Sequence, residues 1–238
     1  MKVLAIDAAG KSLSVAVAEP DKLLAKAALN VGLTHSQRLL PLLAAIMEAA
    51  ALSLADIDLL AVTNGPGSFT GLRIGLATAK GLAEGRGLPL LTVSTLEAEA
   101  YAARGCGAYI CPLLDARRNE VYTALYAETG EELMPPMAIS PGGLAEKLNA
   151  FAVDKTGTRF ILVGDAAELY AQELRQAVAA EVVSAPPERR LFGACGCAFL
   201  ALERLEKAAP PEKAEAFYLR LSEAERNRLA RLKAEGKQ

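Results

Sequence analysis

Residues 3–18 read VLAIDAAGKSLSVAVA and decide the fold, because an apolar run ends at Asp7, a short turn follows and a second apolar run returns. Two apolar runs joined by a tight turn are typical of a β-hairpin. A third strand is predicted over residues 22–30, after the chain-breaking residues Pro20 and Asp21. The sequence therefore predicts three antiparallel strands in a meander.

Helices alternate with strands after this meander. Thr34 and Gln37 have the spacing of a capping box and predict a helix from there to about Leu52. The predicted elements that follow are a strand over 57–63, a loop over 64–69, a helix over 70–85, a strand over 89–93 and a helix over 94–103. The predicted order is β-β-β-α-β-α-β-α.

The same hairpin pattern recurs about 108 residues later, the distance from Asp7 to Asp115. Laying residues 6–8 over 114–116 places residues 13–17 on 121–125, although two β-hairpins can also resemble each other by chance. Further elements predicted in this half are a third strand over 131–139, a strand over 159–163 and helices over 166–179 and 189–208.

Two halves of this kind, each with an aspartate ending its first strand, are typical of the α/β actin-like and sugar-kinase-like ATPases (the ASKHA, RNase H-like architecture). We expect two lobes that face each other across a cleft. Residues 1–104 would form an RNase H-like lobe that carries dimerisation helices, and 105–220 a second lobe of the same superfamily. Residues 221–238 would form a basic terminal helix or tail.

Composition narrows the possible functions. The chain has 238 residues, 52% of them hydrophobic, and 26 basic against 28 acidic side chains give a net charge of −2. Such a charge gives no general attraction to phosphate backbones, so a role in nucleic-acid binding would have to be local or supplied by a partner. One histidine, and four cysteines without C-x-x-C spacing, predict no metal site. No leader or membrane-spanning run is visible in the sequence, so we expect a cytoplasmic protein.

The predicted cleft lacks much of what nucleotide binding requires. Phosphate loops need glycines, so that backbone N–H groups can approach the anion. The first turn keeps Asp7, Gly10 and Ser12, but the turn after Asp115 has two arginines and no glycine, and only Gly164 stands where an adenosine would sit. We predict a degenerate cleft without a cofactor, and turn capping is the alternative role of the aspartates.

Residues 64–73, NGPGSFTGLR, match neither a P-loop nor a dinucleotide-binding motif. The helix that follows, and the helix before it, carry apolar and small residues around about twice the usual arc. One side of each helix can cover the chain's own sheet. The apolar character of the other side predicts that a partner subunit covers it or, alternatively, a subdomain of the same chain. The predicted partner-facing residues are His35, Leu39, Leu42, Leu43, Ile46, Met47, Gly71, Ile74, Gly75, Thr78 and Leu82.

His35 is interpreted as a packing or hydrogen-bonding residue. No serine or cysteine nucleophile in an elbow motif accompanies it, and no catalytic residue is predicted.

Six motifs resemble the bacterial TsaB family, also called YeaZ, of tRNA threonylcarbamoyladenosine biosynthesis proteins. They are AID at 5–7, THSQRLLP at 34–41, GPGSFTGLRIG at 65–75, AKGL at 79–82, DARRNEVY at 115–122 and YLR at 218–220. The resemblance covers nearly the whole chain. It implies a non-catalytic, structural and activating subunit of the complex that adds a threonylcarbamoyl group to adenosine-37 of tRNAs reading codons that begin with adenine.

The resemblance also implies partners. These are the catalytic paralogue TsaD, paired through the two helices, the ATPase TsaE, and a second copy of the chain when it is alone. TsaD carries two metal-binding histidines four residues apart after the same glycine-rich loop, where this chain has Thr95 and Glu99. The alternatives from other classes are a phosphotransferase of the sugar- or acetate-kinase kind and a metallopeptidase.

Overall fold

A computed structural model describes residues 1–32 and 34–220. The predicted tail, 221–238, lies outside the described residues. The first half contains β1 (Val3–Asp7), β2 (Leu13–Glu19), β3 (Lys22–Leu29), α1 (His35–Ala49), β4 (Leu59–Gly65), α2 (Phe69–Arg86), β5 (Leu90–Ser94) and α3 (Thr95–Ala100). The second half contains β6 (Tyr109–Arg117), β7 (Glu120–Tyr126), β8 (Glu132–Ile139), α4 (Pro141–Ala152), β9 (Arg159–Val163), α5 (Ala167–Ala177), β10 (Glu181–Ser184) and α6 (Gly193–Glu203).

Both halves fold into five-stranded sheets with the same strand order. The first sheet is ordered β3-β2-β1-β4-β5, and the second, β10-β9-β6-β7-β8, repeats it when read from β8. In each sheet the meander is antiparallel and the last two strands run parallel to the first strand. The predicted duplicated α/β order is thereby confirmed. The overlay of the hairpins is wrong by one residue, because Ile6 pairs with Val15 whereas Leu114 pairs with Tyr122, not Thr123.

Two helices cover the outer face of each sheet. In α1 the buried side chains recur at the helical spacing of three and four residues, and they pack with α2 against β1, β2 and β4. Leu144 and Leu148 of α4 and Leu174 of α5 form the corresponding core on the second sheet.

The third helix of each half lies between the lobes and covers the other half's sheet. Helix α6 is apolar on all sides, which is typical of a buried helix, and packs on Val3, Ala5 and Leu91 of the first sheet. Helix α3 places Leu96 against β6 and β9 of the second sheet, together with Ala100. The two inner helices also contact each other.

This exchange bears on where the lobes divide. Position 104/105 lies between the two sheets, but α3 and α6 each pack across it. After α6, Ala209 pairs with Leu90, Ala214 joins the core under α2, and the amide of Phe217 donates to Asn64 in the first lobe. Residues 193–220 therefore pack mainly on the first sheet, although the prediction assigned them to the second lobe.

Local predictions differ from the structure at four elements. The Thr34 side chain makes no capping hydrogen bond, and only its carbonyl accepts the amide of Gln37. Of the helix predicted over 189–208, only the residues of α6 (Gly193–Glu203) form a regular α-helix. Helix α4 and strand β10 were absent from the prediction. Helix α4 begins with Pro141 behind Ser140, whose hydroxyl accepts the amide of Gly143 at 3.2 Å.

Candidate functional site

The cleft between the lobes has a volume of about 490 Å³. It is lined by the β1–β2 turn, the glycine-rich loop before α2, the β6–β7 turn and the segment after β9. The chain returns across it at residues 218–220. This is the place where the sequence predicted a degenerate nucleotide site.

Asp7 is buried beneath the cleft and bonded to its own lobe. Its Oδ1 accepts the Thr63 hydroxyl at 2.6 Å and the amide of Ala9 at 3.1 Å. Burial raises the pKa of the Asp7 carboxyl, and these two hydrogen bonds partly offset that effect. On its other side, Asp7 Oδ2 lies against Gly193 at the start of α6. Asp7 therefore acts as the turn-capping group that was the alternative prediction.

Asp115 lies on the opposite side of the cleft and bridges the lobes. The Lys11 ammonium contacts Asp115 Oδ2 at 2.8 Å, and the amide of Arg117 donates to Asp115 Oδ1 at 2.7 Å. Burial favours a raised pKa for Asp115, but Lys11 and the amide of Arg117 together hold it below the usual range. The carboxylate is thus neutralised by the chain itself.

Asp165, which sequence reasoning missed as a site residue, joins both turns. Its Oδ2 accepts the amide of Lys11 at 2.7 Å, and its Oδ1 accepts the amide of Asp115 at 3.1 Å. A Cβ on Gly10 would stand 2.8 Å from Asp165 Oδ2, so Gly10 makes room for this carboxylate. The available signal was an acidic residue close to the end of a predicted strand, as at Asp7 and Asp115.

The remaining cleft residues serve local structure. Gly164 has φ +88° and lies so close to β6 that a Cβ would meet the Leu113 carbonyl oxygen at 2.5 Å. Ser12 is buried in the first turn. In the second turn Arg117, Arg118 and Asn119 all take left-handed φ values of 60°, 56° and 58°. Such φ values are unfavourable for residues other than glycine. Because all three residues carry a Cβ, a phosphate would meet side chains at this turn and not bare backbone.

The glycine-rich loop packs on the chain itself. The amide of Ser68 donates to the Ala9 carbonyl at 2.7 Å, and a Cβ on Gly67 would meet the same oxygen at 2.5 Å. The Tyr218 ring packs on the Phe69 ring in a tilted arrangement, with centroids 5.2 Å apart and planes 36° apart. Arg220 then contacts the second lobe at Glu120, 2.6 Å away. The segment after α6 therefore joins the loop of the first lobe to the β6–β7 turn.

The predicted partner-facing residues divide into two groups. Those buried in the core of the first lobe, and therefore not available as a free surface, are Leu39, Leu43, Ile46, Met47, Gly71 and Gly75. Gly71 lies directly against the Ala8 carbonyl, so the backbone that its small size admits is the chain's own, directly after β1.

The other five, His35, Leu42, Ile74, Thr78 and Leu82, are half-buried. The exposed face of the two helices instead contains Leu40, Ala44, Ala77 and Gly81.

His35 and the positions of the paralogue's histidines have structural contacts. His35 Nε2 lies 3.1 Å from the Gly10 carbonyl oxygen, which confirms the hydrogen-bonding interpretation. Thr95 Oγ1 accepts the amide of Gly65 at 3.1 Å, and Glu99 accepts the amide of Phe192 at 3.3 Å. Among the described residues, no group of three or more His, Cys, Asp or Glu side chains is placed to hold a metal ion.

The cysteines are free, and burial raises the pKa of Cys111 and Cys195 to about 11, so these thiols stay protonated at neutral pH. Within residues 1–32 and 34–220, no helix has the length and apolar character needed to cross a bilayer.

Comparison with known proteins gives the family. The chain is 44% identical over 128 residues to the tRNA threonylcarbamoyladenosine biosynthesis protein TsaB of Escherichia coli, covering 53% of this chain and 55% of that one. It spans about half the length of the curated relatives it matches. The family model for TsaD, tRNA N6-adenosine threonylcarbamoyltransferase, matches residues 30–227. The chain belongs to this family, in its TsaB/YeaZ branch.

Solved structures agree with the TsaB/YeaZ assignment. YeaZ from Pseudomonas aeruginosa superposes with a TM-score of 0.71 at 27% identity, over 92% of this chain and 99% of that one. A ROK hexokinase from Thermus thermophilus superposes with a TM-score of 0.53 at 14% identity, over 85% and 99%. The second match shows the fold alone. The predicted family resemblance and the actin-like, sugar-kinase-like fold are both confirmed.

Proposed function

We propose that this protein is a non-catalytic, structural and activating subunit of the complex that adds a threonylcarbamoyl group to adenosine-37 of tRNAs reading codons that begin with adenine. The E. coli relative is named for threonylcarbamoyladenosine biosynthesis, and the matching family model describes the transferase. The proposed partners are TsaD, which would supply the catalysis, the ATPase TsaE, and a second copy of the chain when it is alone. The proposed compartment is the cytoplasm, with tRNA contact indirect or weak.

The observation that carries a subunit role is the exposed face of α1 and α2. Leu40 is 54% exposed on α1, one turn before the exposed Ala44, and Ala77 and Gly81 are exposed one turn apart on α2. The two helices lie in contact on the outer face of the first sheet. A single exposed leucine is ordinary, but a smooth face of two adjacent helices allows another backbone to approach closely. This face supports pairing with TsaD or a second copy.

The cleft supports the non-catalytic part of the proposal. Its two turns use their amides and side chains on each other, through Asp165 and the pair of Lys11 with Asp115. Neither alternative gains a specific observation. The cleft groups that a phosphotransferase would use contact each other, as just described. For a metallopeptidase, His35 bonds to the Gly10 carbonyl and Glu99 is buried.

The test compares two exposed leucines. Leu40→Glu should leave a folded chain, because the new carboxylate stays in water, but should abolish binding to TsaD and to itself. Leu169→Glu, at a 61% exposed leucine on α5 of the second lobe, is the matched control and should bind normally. The measurements are melting by circular dichroism, native mass spectrometry with TsaD, and threonylcarbamoylation of tRNA. Normal binding by Leu40→Glu would contradict the proposed interface, and full tRNA modification without this chain would contradict the function.

A further inference from the structure

Asp165 connects the two halves of the molecule through main-chain hydrogen bonds. It lies between the end of β9 and the start of α5. Its two oxygens accept the amide of Lys11 in the β1–β2 turn and the amide of Asp115 near the end of β6. Lys11 is 154 residues away in sequence and belongs to the first lobe. One side chain therefore holds together the β1–β2 turn and the end of β6.

Backbone amides that converge on one point are groups that bind anions. In this chain the anion is already present as the Asp165 carboxylate. Gly10 admits it, since any Cβ there would stand 2.8 Å from Asp165 Oδ2. Burial raises the pKa of Asp165, and the hydrogen bonds from the Lys11 and Asp115 amides partly offset this effect.

The charges that line the cleft complete the arrangement. The described lining residues include three cations and two anions, namely Lys11, Arg117, Arg220, Asp115 and Asp165. The excess of positive charge is one (3 − 2), and it becomes two (3 − 1) when Asp165 is removed. Removing this carboxylate therefore frees two N–H donors and raises the positive charge around them.

We propose that Asp165 is an internal anion that occupies the amides of Lys11 and Asp115, holds the lobes together and keeps phosphate-bearing ligands out of the cleft. The inference does not depend on the partners or the reaction proposed above. It predicts a latent site for polyphosphate groups that one substitution uncovers.

The experiment measures both consequences of Asp165→Ala. Hydrogen exchange by NMR should show at least tenfold faster exchange at the amides of Lys11 and Asp115, with little change in β1. Calorimetry with sodium tripolyphosphate should show binding at least tenfold tighter than to the wild type. Tripolyphosphate should also restore protection at the same two amides.

Asp154→Ala removes an exposed carboxylate from the same lobe and should behave like the wild type. If Asp165→Ala does not fold, Asp165→Asn, which keeps the side-chain volume and removes the charge, is measured in the same way and decides. Two results would overturn the proposal: unchanged exchange and unchanged tripolyphosphate affinity in the folded variant, or an equal gain in affinity for Asp154→Ala.

Discussion

Two buried carboxyl groups, those of Asp7 and Glu99, lie next to Gly193 at the start of α6. Glu99 accepts the amide of Phe192, and a Cβ on Gly193 would lie against Asp7 Oδ2 and 3.1 Å from Glu99 Oε1. Burial, the main cause, and the nearby charge of Asp7, the second, raise the pKa of Glu99 well above its usual range. A raised pKa means that the folded state binds more protons than the unfolded chain. The contribution of Glu99 to stability is therefore complete at low pH and is lost as the pH rises through its folded pKa.

Glu99→Gln should remove this pH dependence and stabilise the protein at neutral and higher pH. The glutamine oxygen can still accept the amide of Phe192, while its NH₂ group can donate to Asp7. We expect little difference from the wild type near pH 4 and a gain of roughly 1–3 kcal/mol near pH 8, the scale of an uncompensated buried polar group. Urea unfolding across this pH range measures it, with the exposed Glu48→Gln as control. A lower stability of Glu99→Gln at pH 8 would contradict the prediction.

Single residues show where sequence reasoning succeeds and where it stops. The sequence predicts Asp7, Gly10 and Asp115 at the cleft because each lies at or just after the end of a predicted strand, and local pattern makes such ends readable. The role of Gly10 was not predictable, since the group it admits, Asp165, lies far along the chain. Local periodicity places residues on elements, but it does not say which distant side chain fills a gap.

The glycines of α2 belong to two different faces of one helix. A Cβ on Gly75 would lie 3.4 Å from Ala8 Cβ and 3.6 Å from Val62 Cγ2, inside the first lobe. A Cβ on Gly81 would meet nothing within 4 Å. Sequence reasoning assigned Gly75 to the partner surface. A helical wheel shows that the apolar arc of α2 is wide, but the wheel does not show which side of the helix the sheet covers.

Gly75→Leu and Gly81→Leu should therefore have opposite effects. Leucine at 75 overfills the core, at a typical loss of about 1–3 kcal/mol, against which helix propensity returns roughly 0.8 kcal/mol. Leucine at 81 should keep or raise the melting temperature of the monomer and should weaken association with TsaD or with itself. Melting by circular dichroism and mass by light scattering separate the two outcomes. Normal association of Gly81→Leu would place the interface elsewhere.

Elements with strong local signals were predicted well, and elements without them were missed. The three strands of each meander have long apolar runs and clear turns, so their order was readable. Strand β10 is only four residues long and lies at a sheet edge. At the start of α4, Gly142 and Gly143 weaken the helical signal, because glycine has a low helix propensity. The length of α6 was overestimated because alanine and leucine continue past its end, where Arg204 leaves the helical conformation.

At the scale of the whole molecule, the exchanged helices join two similar halves into one structure. Helix α6 covers the inner face of the first sheet and α3 covers that of the second. Hydrophobic pattern predicts that each helix is buried, but not which sheet it covers. The duplicated order was therefore predictable from the sequence, and the reciprocal packing of the third helices was not.

The exchange predicts that neither half folds alone when the chain is divided at 104/105. A fragment of residues 1–104 would lack α6, and its inner face, with Val3, Ala5 and Leu91, would be exposed to water. Burial of apolar area is the main term that stabilises a domain, so this fragment should show no cooperative melting. Co-expression with residues 105–238 should restore a single transition, because that piece supplies α6 and receives α3. Calorimetry of the separate and combined fragments measures this, and cooperative melting of 1–104 alone would contradict it.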